Sequence, residues 1–182
     1  IRTDESDTGG IGGTLAGNAL AMAAMRATLE QVLTETAYAG MFALAERFEL
    51  LEPLRAFARS GRPVFGTCAD AILLSSEIID GRADQHCLGA IDESVRRNGF
   101  GRQVDSFEID LDIPALGAAG LGDEPFDAVC VRAPVIERIG DDVEVMASVD
   151  GNPALVRSGA IMVAIFHPEL AGDRRLHELF VL

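Results

Sequence analysis

The run Pro63-Val64-Phe65-Gly66-Thr67 is short, apolar and bounded by proline and glycine, and Cys68 follows it directly. From Ala69 to Ile79 the pattern changes to helical spacing through Ile72, Leu73, Ser76 and Ile79. A buried strand, a sharp turn and a helix are predicted, with Cys68 at the turn. Such a turn holds a nucleophile away from the backbone and exposes it to substrate. A nearby helix N-terminus, with its partial positive charge and N–H groups, favours a thiolate there. An isolated cysteine is ordinarily a buried structural residue. Cys130, in an apolar strand, and Cys87, after His86 in a loop, keep that reading.

The rest of the chain supports an α/β domain. Its 182 residues suit one domain, and 48% hydrophobic content is enough for a core without staples. Further strands are predicted at Ala128–Val131, Val143–Val149, Ala154–Arg157 and Ile161–Phe166. Ser158-Gly159 suits a hairpin between the last two. A final helix is expected over Asp173–Leu182, with Asp173 as its cap. Upstream, Arg2 to Gly13 reads as a polar, glycine-rich leader. A helical stretch follows with Met22, Met25, Leu29, Val32 and Leu33 on one face. Such a methionine stripe is far more often core than a cofactor box. A second amphipathic segment carries Met41, Leu44, Phe48 and Leu51, and Glu52-Pro53 suits a new helix N-terminus.

Charge and cysteine usage exclude some functions. A formal net charge of −14 argues against nucleic-acid binding, which needs a basic footprint; Arg96-Arg97 and Arg174-Arg175 are at most local basic sites. The longest apolar run, Ala160–Phe166, is far short of a membrane span, and no segment has the pattern of a secretory signal. Three scattered cysteines show neither metal-ligand spacing nor a disulfide framework, so no metal or other cofactor is expected and a reducing cytoplasm is the simplest compartment.

Two further segments carry chemistry. His167-Pro168-Glu169 follows an apolar strand. A cysteine hydrolase needs a base that takes the thiol proton and returns it to the leaving amine, and a carboxylate that orients the imidazole. A histidine at the end of one strand reaches a turn at the end of a parallel neighbour, where open α/β sheets place their sites. His177, among charged residues of the final helix, reads as a surface residue. The other segment runs from Val95 to Glu108, with three arginines, turn-like glycines and aromatics. Its bland reading is a solvated charged loop, yet an arginine fork there can grip a substrate carboxylate.

The run Arg96-Arg97-Asn98-Gly99-Phe100-Gly101-Arg102-Gln103-Val104-Asp105-Ser106-Phe107-Glu108 resembles a signature of the pyridoxal 5′-phosphate synthase glutaminase subunits, a class I glutamine amidotransferase family. Val131-Arg132-Ala133-Pro134 is similar to a second signature. Phe166-His167-Pro168-Glu169-Leu170 with Gly172-Asp173-Arg174-Arg175 is similar to a third, and Phe65-Gly66-Thr67-Cys68-Ala69 resembles the family's cysteine elbow. The resemblance covers residues 41–182 in family order. It implies a doubly wound α/β sheet over 41–182 that hydrolyses L-glutamine to glutamate and ammonia. Cys68 would be nucleophile, His167 base and Glu169 its orienting partner. Arg97 would bind the glutamine carboxylate, with Val131 and Arg132 as further glutamine contacts. Ammonia would pass to a synthase subunit that builds pyridoxal 5′-phosphate, in a hetero-oligomer.

The chain departs from the family in two places. Residues 1–40 form an atypical polar and then helical region without the family's opening strands or its Pro-Gly-Gly-Glu-Ser loop, which supplies part of the oxyanion hole. Asp70 stands where the family has glycine in Gly-x-Cys-x-Gly. Its carboxylate is expected either to repel the thiolate or to turn outward and cap its helix. Besides an active glutaminase, the sequence therefore admits a catalytically impaired partner subunit that keeps the docking surface. A cysteine hydrolase acting on another amide needs a binding set other than Arg97 and Arg132.

Overall fold

The structure, a computed structural model, describes residues 45–81, 85–97 and 106–182. The predicted leader, the methionine-striped helix and the centre of the arginine-glycine segment lie outside these residues. The chain divides into two compact units, Ile1–Phe48 and Glu49–Leu182. Every element below belongs to the second.

The order is α1 (Leu51–Ala58), β1 (Val64–Thr67), α2 (Ala69–Leu74), β2 (Glu77–Ile78), β3 (Glu93–Arg96), β4 (Phe107–Leu111), α3 (Pro114–Ala118), β5 (Phe126–Cys130), β6 (Val135–Ile139), β7 (Glu144–Val149), β8 (Asn152–Ser158), β9 (Ile161–Ala164), a 3₁₀ turn (Pro168–Leu170) and α4 (Arg175–Val181). Among the described residues the strands form a four-stranded sheet ordered β1-β9-β8-β7, a three-stranded sheet β2-β3-β6, and the pair β4-β5. β1 runs parallel to β9, and β2 parallel to β3; the other pairs are antiparallel. Helix α2 packs on β1, β3 and β9, while β6 meets β8 and β4 meets β7, so the sheets share one core.

Sequence explains the strand faces. All four residues of β9 are buried, which suits its unbroken apolar run. In β5, Phe126, Ala128 and Cys130 are buried while Asp127 is exposed, the period-two pattern of a half-buried strand. The Phe126 and Phe166 rings meet at 5.9 Å in the core. Two tight hairpins set the antiparallel registers. Val149 faces Asn152 across Asp150-Gly151, both with positive φ (49° and 80°), as a type I′ turn requires. Ser158 faces Ile161 across Gly159-Ala160, with positive φ at Gly159 alone, the pattern of type II′ and the hairpin expected there.

Several expectations change in detail. The helix after Cys68 ends at Leu74, not Ile79. Ser75 leaves helical geometry and returns its hydroxyl to the Ile72 carbonyl, and Ser76 bonds Asp92 and the Glu93 carbonyl. Serine competes for backbone groups in this way and stops short helices. Glu77 and Ile78 then pair with Ser94 and Val95. Asp173 binds the Arg175 N–H at 2.9 Å and its guanidinium at 2.6 Å, just before α4 rather than as its cap residue. Strands β3, β4 and β6 and helix α3 were not anticipated. The arginine-glycine segment is therefore bounded by strands, with Arg96 closing β3 and Phe107 opening β4.

One core residue is out of character. Glu93 in β3 is 0% exposed, and neither carboxylate oxygen has a hydrogen-bond partner among the described residues. Burial pushes its carboxyl up to about 8, so it is held neutral at neutral pH.

Candidate active site

The site is assembled by the parallel pairing of β1 with β9. Thr67 lies opposite Ala164, and the Cys68 N–H extends the ladder to the Ala164 carbonyl at 2.8 Å. The two chains then diverge, one into α2 and the other into His167. Cys68 takes φ 49° and ψ −103°, left-handed backbone that a residue with a side chain rarely adopts. That turn aims the thiol out of the sheet. Gly66 leaves room beneath it: a Cβ there would stand 2.5 Å from a Leu74 side-chain carbon and 3.0 Å from the Asp70 Cβ, so the Leu74 side chain would have to shift.

His167 is fixed on both sides. Its N–H donates to the Val129 carbonyl at 2.8 Å, tying it to the end of β5. Its Nδ1 lies 2.7 Å from Glu169 Oε1. Its imidazole is pushed up to about 9, chiefly by the neighbouring Cys68; desolvation opposes the rise and the Glu169 hydrogen bond adds to it. With Glu169 on Nδ1, Nε2 is left for the sulfur. A cationic imidazole beside a sulfur is the arrangement in which a cysteine acts as a thiolate nucleophile.

The Cys68 Sγ also lies 3.7 Å from the Val131 carbonyl. Arg132, next in the chain, is exposed and has φ 51°. The structure thus brings Cys68, His167, Glu169 and Val131 together, with Arg132 adjoining. Arg97 follows β3 in another sheet. Its backbone N–H donates to Asp80 Oδ1 at 2.8 Å and its Nη1 to Gln85 Oε1 at 3.2 Å. Gln85 and Asp80 carried no recognisable signal, being polar residues in a polar connection. Asp70 does not turn outward to cap its helix: its Oδ2 accepts the Thr67 N–H at 3.3 Å, on the strand side of the elbow. Cys130 is fully buried, and burial with the nearby Cys68 pushes its thiol up to about 11, which suits an inert residue. Cys87 lies with its Sγ 3.5 Å from the Ser76 carbonyl. Among the described residues no group of three or more His, Cys, Asp or Glu is placed to hold a metal ion, and no helix is long and apolar enough to cross a membrane.

An α/β sheet with a cysteine elbow facing a His–Glu pair from the next parallel strand is the architecture of the class I glutamine amidotransferases. The SNO glutamine amidotransferase family model matches residues 32–182. The chain belongs to this family. It is 57% identical over 134 residues to the pyridoxal 5′-phosphate synthase subunit PdxT of Mycobacteroides abscessus, a match covering 74% of this chain and 66% of that protein. The PdxT of Rhodococcus jostii is 53% identical over 148 residues, covering 78% and 71%. Among solved structures, a glutamine amidotransferase superimposes with a TM-score of 0.68 at 41% identity, covering 79% of this chain and 72% of the other. The chain thus spans about two thirds of the length of these PdxT relatives.

Proposed function

We propose that this chain is a glutaminase subunit of pyridoxal 5′-phosphate synthase, hydrolysing L-glutamine to glutamate and ammonia, with the ammonia passing to a synthase subunit. The reading is carried by the 2.7 Å contact between His167 Nδ1 and Glu169, set at the end of β9 directly beside the strand that bears the Cys68 elbow. The Cys68 thiolate attacks the side-chain amide carbon of glutamine. The His167 imidazolium protonates the departing nitrogen as the C–N bond breaks, releasing ammonia and leaving a thioester on Cys68. His167, now neutral, takes a proton from water, whose oxygen attacks the thioester. Glutamate leaves and the thiol proton returns to the Cys–His pair. Glu169 orients the ring throughout and stabilises its cationic form. Arg97 holds the α-carboxylate, and Val131 and Arg132 line the amide end.

The amidotransferase-like domain is assigned to residues 41–182. The three cysteines, all free, suit a reducing cytoplasm, and the net charge of −14 is unsuited to a nucleic-acid partner. A second reading has one observation in its favour: residues 1–40 contain no Pro-Gly-Gly-Glu-Ser run of the kind that supplies part of the family's oxyanion hole. On that reading the chain docks on the synthase subunit but turns over poorly. Ammonia release from glutamine, with and without a synthase subunit, is the test. Glutamine-dependent ammonia that Cys68→Ala abolishes supports the glutaminase. Binding to the synthase subunit with no ammonia under any condition supports the impaired partner.

A further inference from the structure

Successive N–H groups of β1 point to alternate edges of the strand. Those of Val64 and Cys68 point to β9 and donate to the Ala160 and Ala164 carbonyls at 3.1 and 2.8 Å. Thr67 therefore presents its N–H on the opposite edge, where Asp70 Oδ2 accepts it at 3.3 Å. Asp70 is the second residue of α2, so its side chain reaches back across the elbow to the strand. On the helix side, the Ala71 N–H donates to the Cys68 carbonyl at 3.1 Å. Three hydrogen bonds thus bracket Cys68: one from its own N–H, one to its own carbonyl, and one between Asp70 and the residue before it. Between these anchors Cys68 holds φ 49°, a strained conformation that persists only where its surroundings fix it.

We infer that Asp70 is a positioning residue for the nucleophile: its carboxylate ties the start of α2 to the end of β1 and so keeps Cys68 in the backbone geometry that aims its thiol at the substrate amide. The inference deepens the proposed function and rests on the assignment of Cys68 as nucleophile. Glycine, which the family has at this position, carries no acceptor and cannot make the tie. The role needs an acceptor rather than a charge, and the amide oxygen of asparagine has the same reach. A charge effect would run the other way, since a carboxylate beside a thiolate disfavours the thiolate. Positioning and electrostatics therefore predict opposite outcomes when the carboxylate is removed.

The test uses the full chain and two alkylating reagents. One is the chloroketone analogue of L-glutamine, which must bind before it reacts; the other is iodoacetamide, which needs no bound orientation. Saturation kinetics separate chloroketone binding from the alkylation step, and mass mapping places the label. Asp70→Ala is expected to slow the alkylation step roughly tenfold, the scale of one hydrogen bond to a charged acceptor, with chloroketone binding unchanged. Its iodoacetamide rate should equal or exceed that of wild type. Asp70→Asn, which keeps the acceptor, should bring the chloroketone step back to within about twofold of wild type. A general loss of structure would slow both reagents and weaken binding. An electrostatic role would speed both reagents in Asp70→Ala and Asp70→Asn alike. Either pattern overturns the inference, as does an unchanged alkylation step in Asp70→Ala or a failure of Asp70→Asn to restore it. Wild type separates the two levels. If the chloroketone labels Cys68 in wild type and glutamine protects it, while Asp70→Ala reacts as wild type does, only the role of Asp70 falls. If wild type is not labelled at Cys68, the nucleophile assignment falls and the role of Asp70 with it.

Discussion

Thr67 faces Ala164 across the parallel β1–β9 pair, and this register sets Cys68 beside His167. Cys68 follows its strand by one residue and His167 follows its own by three. A one-residue slip would reverse the faces of an entire strand. The site is thus held by core hydrogen bonding, and its predicted behaviour follows from a few contacts.

Cys68 should be the cysteine that reacts first with a glutamine-like electrophile, because Cys130 is buried with its thiol pushed up to about 11. Mass mapping after brief labelling checks this; label on Cys87 or Cys130 ahead of Cys68 would remove the assignment. His167→Ala should slow the reaction at neutral pH by ~10-fold or more, since the thiolate loses its neighbouring cation. Turnover with glutamine should decline as pH rises through about 9, where His167 loses the proton it gives to ammonia.

Arg97→Ala should weaken glutamine binding by on the order of 1.5–3 kcal/mol, the scale of a bidentate carboxylate contact. Arg96→Ala should have a much smaller effect, because the Arg96 guanidinium is already engaged by Glu137 across the sheet. Titration calorimetry on both variants decides it, and equal losses would count against the carboxylate role of Arg97.

Glu93 should make the domain less stable as pH rises. Its carboxyl titrates at about 8 in the folded chain against 4.5 in the open, so the folded state binds the proton more tightly. Stability is then whole below pH 4.5, falls between 4.5 and about 8, and levels off above. The total loss is on the order of 5 kcal/mol at about 1.4 kcal/mol per pH unit. His167, raised from 6.5 to about 9, adds a smaller decline of the same sign over its own window. Urea unfolding at pH 5, 7 and 9 should show the fall in wild type and much less of it in Glu93→Gln. An identical slope in both would mean that Glu93 is not the source.

Two inactive forms of the nucleophile should differ in stability. Cys68 has φ 49°, where glycine is at ease and alanine is not. Cys68→Gly is therefore expected to unfold at a higher temperature than Cys68→Ala, by the order of 1 kcal/mol. Calorimetry on the pair reads the strain directly. A Gly variant no more stable than the Ala variant would show that the elbow carries none.

The elbow and the His-Pro-Glu segment could be read before any coordinates because each puts reactive residues at an abrupt change of periodicity. The β8–β9 hairpin is legible from Ser158-Gly159, and Asp150-Gly151 is an equally strong turn dipeptide for β7–β8. Strands β3 and β6 were hidden for a physical reason. Their sequences, Glu-Ser-Val-Arg and Val-Ile-Glu-Arg-Ile, place charges where a buried strand ordinarily shows none. In β3 one of those charged residues, Glu93, is buried with no hydrogen-bond partner among the described residues, so alternation gives no guide. The helix after Cys68 was read too long because spacing through Ile79 persists past Ser75, where side-chain competition for the backbone ends it.

His167 and Glu169 stand two residues apart, with a buried Pro168 between them in a single 3₁₀ turn. A base and its orienting acid are more often drawn from distant parts of a chain, and each is then exposed to separate drift. Here the pair is one cassette. An insertion or a lengthened loop anywhere between the elbow and β9 leaves its internal geometry untouched, provided the strand pairing survives. The short connection that leaves β6 can therefore vary in length or sequence without disturbing the spacing of His167 and Glu169.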